Sequence, residues 1–169
     1  MNDLSIDQIV KATGCPSDNV AEHWPNILNA LIEQGINTES VQIAAAGTVA
    51  VETGRFEPIH EIHADPVRQP GLYAQQARYW DSGYYGRGFI QLSLQENYHH
   101  YGIKLGLFLE DSPELAMDPI NAARILALYF KERRIELPAE AHDWDRVRQM
   151  VNGGTNGLDK FKAICERLV

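Results

Sequence analysis

Residues 39 to 54 read Glu-Ser-Val-Gln-Ile-Ala-Ala-Ala-Gly-Thr-Val-Ala-Val-Glu-Thr-Gly. Thr38 stands before them as an N-cap and Gly54 after them as a stop, so the spacing predicts a helix over 39–52. Val41, Ala45, Thr48, Val49 and Glu52 fall on one face of it. The alanines at 44 to 46 let neighbours come close, which places this helix at the centre of the domain. A central helix that ends in a carboxylate on its own apolar face brings a charge to the edge of a core.

Helical pattern dominates on both sides. Residues 4 to 13 form a short amphipathic segment (Leu4, Ile6, Ile9, Val10) stopped near Gly14. Pro25 is expected in the first turn of the next helix, which carries Ile27, Leu28, Leu31 and Ile32 and ends at Gly35. Ser93 with Glu96 has the spacing of a capping box for a helix running toward Gly102. Asp118 and Pro119 open a helix expected to bury Ile120, Ala123, Ile125, Leu126, Leu128 and Tyr129. Asp143 caps a helix to about Val151, and Asn156 or Gly157 starts the last one. Strand signal is confined to short pieces at 84–85 and 89–92. From Phe56 to Tyr84 no period survives Pro58, Pro66, Pro70, Gly71 and Gly83. Long irregular stretches inside a domain are usually functional, and Tyr73, Tyr79 and Trp80 weigh against disorder. The expected architecture is mainly α, in a single domain spanning 1–169, large enough for a core without staples.

The formal net charge of −8 argues against a nonspecific grip on nucleic acid or an anionic membrane, and it also counts against an acidic cell wall. Cys15 and Cys165 are expected as free buried thiols. The start, Met1 to Asp7, has neither a basic region nor an apolar stretch of signal-peptide type. No apolar run approaches the roughly 20 residues of a membrane span. The expectation is a monomer made in the cytoplasm, without membrane insertion, reaching any extracellular target by a separate route.

The chemistry is expected between Glu52 and Asn152. A helix C-terminus and an apolar surround are settings in which a carboxylic acid can keep the proton that a leaving oxygen needs. Glycoside hydrolysis commonly takes a second carboxylate, and Glu57, Glu61 and Asp65 all follow within reach. Residues 84 to 98, Tyr-Tyr-Gly-Arg-Gly-Phe-Ile-Gln-Leu-Ser-Leu-Gln-Glu-Asn-Tyr, carry glycines, aromatic rings and neutral polar groups at close spacing. Gln91, Ser93 and Asn97 suit the hydroxyl and N-acetyl groups of sugars. Trp80, Tyr84 and Tyr85 offer flat faces for sugar rings, and Arg87 could pair with the acids. Asn152, at a helix end before Gly153-Gly154, could reach the same cleft. Neither dinucleotide nor P-loop spacing occurs at 83–88. His60, Glu61, His63 and Asp65 lack the His-Glu-x-x-His arrangement, so neither metal nor cofactor is expected; a zinc peptidase using His60 and His63 is the distant alternative.

Glu52-Thr53-Gly54 followed by Glu61, then 84–93 with Asn97-Tyr98 and Asn152-Gly153-Gly154, resembles family 19 glycoside hydrolases, which are chitinases of class I type and related bacteriophage endolysins. The similarity runs in order from about Thr38 to Leu168. It implies a lysozyme-like, two-lobed domain with a central cleft and an inverting mechanism. By that resemblance Glu52 matches the general acid and Glu61 the group that activates water. Tyr85, Arg87, Gln91, Ser93, Asn97 and Asn152 are the expected substrate contacts. The chain departs from the family at Val51, where histidine is usual, and at Arg55, where glycine is usual. Phe161 stands where the last helix usually has arginine. The lobe from Glu61 to Gly83 is short. The expected activity is endo-hydrolysis of β-1,4 bonds in an N-acetylglucosamine-containing polysaccharide. Peptidoglycan is preferred, because the chain is compact, has few cysteines and carries no chitin-binding module. The alternatives are chitin as substrate, or an inactive sugar-binding protein with the same cleft.

Overall fold

The computed structural model describes residues 3–169; Met1 and Asn2, the start of the segment read for a leader, lie outside the described residues. Helix α3 (Glu39–Thr53) is buried without a break from Val41 to Ala50. A helix apolar all round must be enclosed all round, so the single buried face expected from sequence extends to the whole circumference. Thr38 caps it, accepting the Val41 N–H at 3.3 Å. Gln42, its one amide inside the core, is fully engaged: Oε1 accepts from Leu4 N–H, and Nε2 donates to Asp3 and Asn37.

Around this axis lie α1 (Ile6–Thr13), α2 (Ser17–Glu33), α6 (Pro119–Glu132), α7 (Glu136–Glu140), α8 (Trp144–Asn152) and α9 (Leu158–Leu168). They share one core with Val41, Ala45, Val49, Phe56 and Phe89. A second core joins α5 (Gln95–Leu105) to the outer side of α6 through Tyr98, Tyr101, Leu105, Leu109, Ile125 and Leu128. Helix α6 is therefore the wall common to both lobes. The remaining elements are α4 (Pro70–Gln76) and the two-residue strands β1 (Ile59–His60) and β2 (Arg87–Gly88), paired antiparallel with Ile59 opposite Gly88. Both cysteines are free and buried. No helix among the described residues is long and apolar enough to cross a membrane.

Local expectations differ from the structure at four points. Pro25 sits inside α2 rather than in its first turn; Ala21 and Pro25 are both exposed, so the carbonyl without an N–H partner lies on the wet side. The Ser93–Glu96 capping box does not form. Helix α5 starts after Leu94, which has φ 74° and no side-chain cap. Ile120 is 58% exposed, because the Asp118 cap turns the first residue after Pro119 outward. The strands lie at 59–60 and 87–88 rather than at 84–85 and 89–92.

The closest contact on the axis is at Gly47, where an added Cβ would stand 3.0 Å from Phe161 and 3.1 Å from the Cys165 sulfur. Gly47→Val should therefore destabilise by about 1–3 kcal/mol through overpacking. Urea unfolding with an unchanged m-value is the check.

Candidate active site

The end of α3 is shaped by Thr53. Its hydroxyl donates to the Val49 carbonyl at 2.8 Å and accepts the Phe56 N–H at 2.9 Å. Gly54 closes the helix at φ 72°, and fully buried Phe56 adopts φ 62°, a left-handed conformation that a bulky residue holds only when packing enforces it. The chain thus leaves the helix one residue after Glu52.

The Glu52 side chain is 18% exposed and meets the guanidinium of Arg148, which is 3% exposed. Arg148 Nη1 donates to Glu52 Oε1, while its Nε donates to the Asn156 carbonyl at 2.9 Å. Asn152 Nδ2 donates to that same carbonyl at 3.2 Å. The loop after α8 is therefore a clasp for the arginine. Gly157, at φ 70°, permits its approach: a Cβ there would lie 2.8 Å from Val51 and 3.4 Å from Arg148 Nη2. Val51, the departure from the family's histidine, packs against this glycine.

Glu61 is held differently. Its Oε1 accepts from Gln76 Nε2 at 2.9 Å and from the Tyr79 hydroxyl at 2.6 Å, and its Oε2 accepts the Gly86 N–H at 2.8 Å. No cation lies within ion-pair distance among the described residues. Gln76, 1% exposed, cannot rotate away, because its Oε1 accepts the Ala64 N–H at 2.6 Å. Burial, with the Glu61 bond and charge added, pushes the Tyr79 hydroxyl well above its usual range, so it remains a donor. Gly86 is required by space: a Cβ would come within 2.9 Å of Gln91 Oε1 and 3.1 Å of Glu61 Cβ. The other two acids are spent elsewhere. Glu57 pairs with exposed Arg55 at 2.9 Å, and Asp65 accepts the Val67 and Arg68 N–H groups in a local turn.

The segment after Gly86 folds back tightly. Arg87 and Leu92 exchange both backbone hydrogen bonds, and Gln91 at φ 53° closes the turn. The Gln91 amide nitrogen donates to Ile59 and Gly88 carbonyls at 3.0 and 3.1 Å. Gln91, Ser93 and Asn97 then line one polar cleft of about 210 Å³ with Tyr129, Arg133 and Val151. The Ser93 hydroxyl caps nothing and opens to this cleft, while Asn97 uses its amide nitrogen on the Ser93 carbonyl at 2.7 Å. Tyr129, on the cleft wall, donates its hydroxyl to the Val151 carbonyl at 2.9 Å. Burial raises its hydroxyl above the usual range, Arg133 opposes this, and the Glu52 charge adds to it.

Two expected substrate contacts are engaged in the packing of their own lobe. Arg87 is 4% exposed and pairs with Glu114, not with Glu52 or Glu61; its Nη1 donates to the carbonyls of Gly83 and Tyr85 and to the Tyr98 hydroxyl. Tyr85 is no open platform, since Trp80 covers one face at 4.6 Å and the Arg87 guanidinium lies at 4.0 Å from its ring centroid. Trp80 is likewise covered on its far side by His63 at 4.1 Å, and His63 by Tyr73 at 5.2 Å. Tyr84 is half-buried, donating its hydroxyl to the Glu110 carbonyl at 3.0 Å. The aromatic residues expected to carry sugar rings instead stack on one another and stiffen the lobe that holds Glu61. His60 turns to Glu114 at 3.4 Å, and no group of three or more His, Cys, Asp or Glu side chains converges as metal ligands would among the described residues.

No family model matches the chain, and no curated protein matches it in sequence. The crystal structure of chitinase C from Streptomyces griseus HUT6037 matches with TM-score 0.61 at 22% identity, over 97% of this chain and 91% of that one. A mutant of chitinase C matches with TM-score 0.49 at 20% identity, over 92% and 76% of the two chains. The fold is thereby the mainly α, lysozyme-like one.

Sequence reasoning missed Arg148, Gln76, Tyr79, Tyr129 and Arg133. Arg148 was readable: it shares with Trp144, Val147 and Val151 the i, i+3, i+4, i+7 face of α8, and an arginine on an apolar face needs a buried anion. Gln76 and Tyr79 lie where no period survives, and nothing local points to them.

Arg148→Ala should leave the Glu52 carboxylate without its partner and lower stability by about 2–3 kcal/mol, less than for a fully buried pair because Glu52 keeps some solvent. The Arg148→Lys protein should lie between the two. Thermal melts of the three proteins provide the comparison.

Proposed function

We propose that the protein is an inverting glycoside hydrolase that cuts β-1,4 bonds in an N-acetylglucosamine-containing polymer. The observation that carries this reading is the contrast between the two carboxylates. A carboxylate offers about four acceptor sites. On Glu61, Gln76 and Tyr79 fill Oε1 and Gly86 takes one place on Oε2, which leaves one place on Oε2 for a water. On Glu52, Arg148 engages Oε1, and Oε2 accepts from no described residue.

The roles follow from these occupancies. Glu61 Oε2 accepts a proton from the water as the water oxygen bonds to the anomeric carbon. The glycosidic C–O bond breaks, and its electron pair goes to the leaving oxygen. Glu52 Oε2 delivers the proton that this oxygen takes up. The base returns its proton to solvent and the acid regains one, so the cycle needs no metal or cofactor. Gln91, Ser93 and Asn97 offer the neutral polar lining that hydroxyl and N-acetyl groups require. The fold neighbour is a chitinase, which supports chitin at least as well as peptidoglycan; both polymers present the same β-1,4 linkage to N-acetylglucosamine.

Glu52→Gln and Glu61→Gln should each lower turnover by about 10²–10⁴-fold with the far-UV spectrum intact. Reducing-end release from purified wall and from chitin oligomers is the assay. Unchanged turnover in either variant removes that residue from the mechanism. Tyr79→Phe, which deletes the 2.6 Å bond to Glu61, should lower kcat by roughly tenfold with KM little changed. Exhaustive chelation should leave activity in place, and loss of activity on chelation would revive the zinc alternative.

A further inference from the structure

The cleft lined by Gln91, Ser93 and Asn97 holds a cation that the proposed reaction does not use. Arg133, at the C-terminal end of α6, lines the cleft with Gln91, Ser93 and Asn97. Its guanidinium lies 3.9 Å from the Tyr129 ring centroid. Tyr101 shares the cleft wall with Arg133, and burial pushes its hydroxyl up to about 12 against the opposing pull of Arg133. The Tyr129 ring therefore restrains the group, and a guanidinium restrained in advance loses less freedom when it binds.

The surrounding charges leave it without an anion. Among the described residues no carboxylate lies within 4.0 Å of Arg133. Glu132, next in the chain, turns to His100 at 2.8 Å and Lys104 at 3.9 Å. Glu52 is taken by Arg148. The other polar side chains on the cleft wall are neutral. In a chain of net charge −8, an exposed guanidinium facing a polar cleft is a local reversal of sign.

We propose that Arg133 binds a carboxylate on the substrate, and so selects N-acetylated glycans that carry an acidic substituent, such as the stem-peptide carboxylates of peptidoglycan, over neutral chitin. This deepens the glycosidase reading and rests on it. A planar guanidinium donates two parallel N–H groups to a carboxylate, whereas a neutral chitin chain offers it only hydroxyl and amide oxygens. The overall negative charge, which counts against an acidic polymer, is then offset at the one place where the polymer is held.

The test uses the full chain carrying Glu52→Gln, so that ligands survive, titrated calorimetrically with two probes. One is a tetrasaccharide-peptide of alternating N-acetylglucosamine and N-acetylmuramic acid; the other is chitotetraose. The acidic probe should bind more tightly, and its advantage should shrink as salt rises. Adding Arg133→Gln should lower the ratio of the two affinities by roughly tenfold, as expected for a lost charge-assisted bond, with Arg133→Lys between. An unchanged ratio, an equal loss for both probes, or an acidic probe that binds no better than the neutral one overturns the proposal. Should Arg133→Gln fail to fold, the Arg133→Lys ratio and the salt dependence decide by the same criteria. Failure of the glycosidase reading is seen separately, as a wild-type chain that releases no reducing ends from either polymer.

Discussion

A helix enclosed on every side can end in a carboxylate only if the surrounding structure meets the charge. Helix α3 imposes that condition, since its burial from Val41 to Ala50 leaves Glu52 at the rim of the main core with 18% of its side chain exposed. Arg148 meets it from α8. To do so the arginine crosses the core wall, is itself buried, and requires the loop after α8 to turn back so that the Asn156 carbonyl satisfies its Nε. A buried ion pair is worth little by itself unless its other donors find acceptors, and here Nε finds the Asn156 carbonyl. The glycines of that loop, the close approach of Gly157 to Val51 and the hydrogen bond of Asn152 are consequences of the same condition.

The second carboxylate answers a different demand. Glu61 lies on a segment with little regular structure, so its position depends on contacts with the rest of its lobe. Backbone and side chain are both tied to Gly86, and Gln76 and Tyr79 grip the carboxylate from α4 and the turn that follows. That lobe is stiffened by the stack of Tyr73, His63, Trp80 and Tyr85, which ends on Arg87 and its ion pair with Glu114. Aromatic and cation–π contacts of this kind each add a modest stabilisation, but in series they replace the hydrogen-bond ladder that a loop lacks. Tyr85 and Arg87 are both members of this stack.

Much of the helical architecture was legible because its signals are local. Thr38 and Asp118 cap their helices, Asp143 caps α8, and Gly54 ends α3 as expected. The failures are also local in origin. Ser93 and Glu96 have capping-box spacing, but Leu94 at φ 74° starts the helix one residue later and releases the Ser93 hydroxyl to the cleft. Pro25 reads as a helix start until solvent on the Ala21 side removes the penalty of an interior proline.

By itself the sequence determined that this chain is mainly α and that a central helix carries Glu52 at its C-terminal end. Those properties depend on periodicity, caps and glycine stops within a few residues. The tertiary structure alone decided which groups meet. It brought Arg148 to Glu52 across 96 positions, chose Glu61 over Glu57 and Asp65 as the acid with three donors, and left Arg133 facing the cleft without a carboxylate. The physical reason is that a charge or a polar atom near a core is satisfied by whatever the packing places beside it. That neighbour is set by how helices stack around α3, which no local spacing encodes.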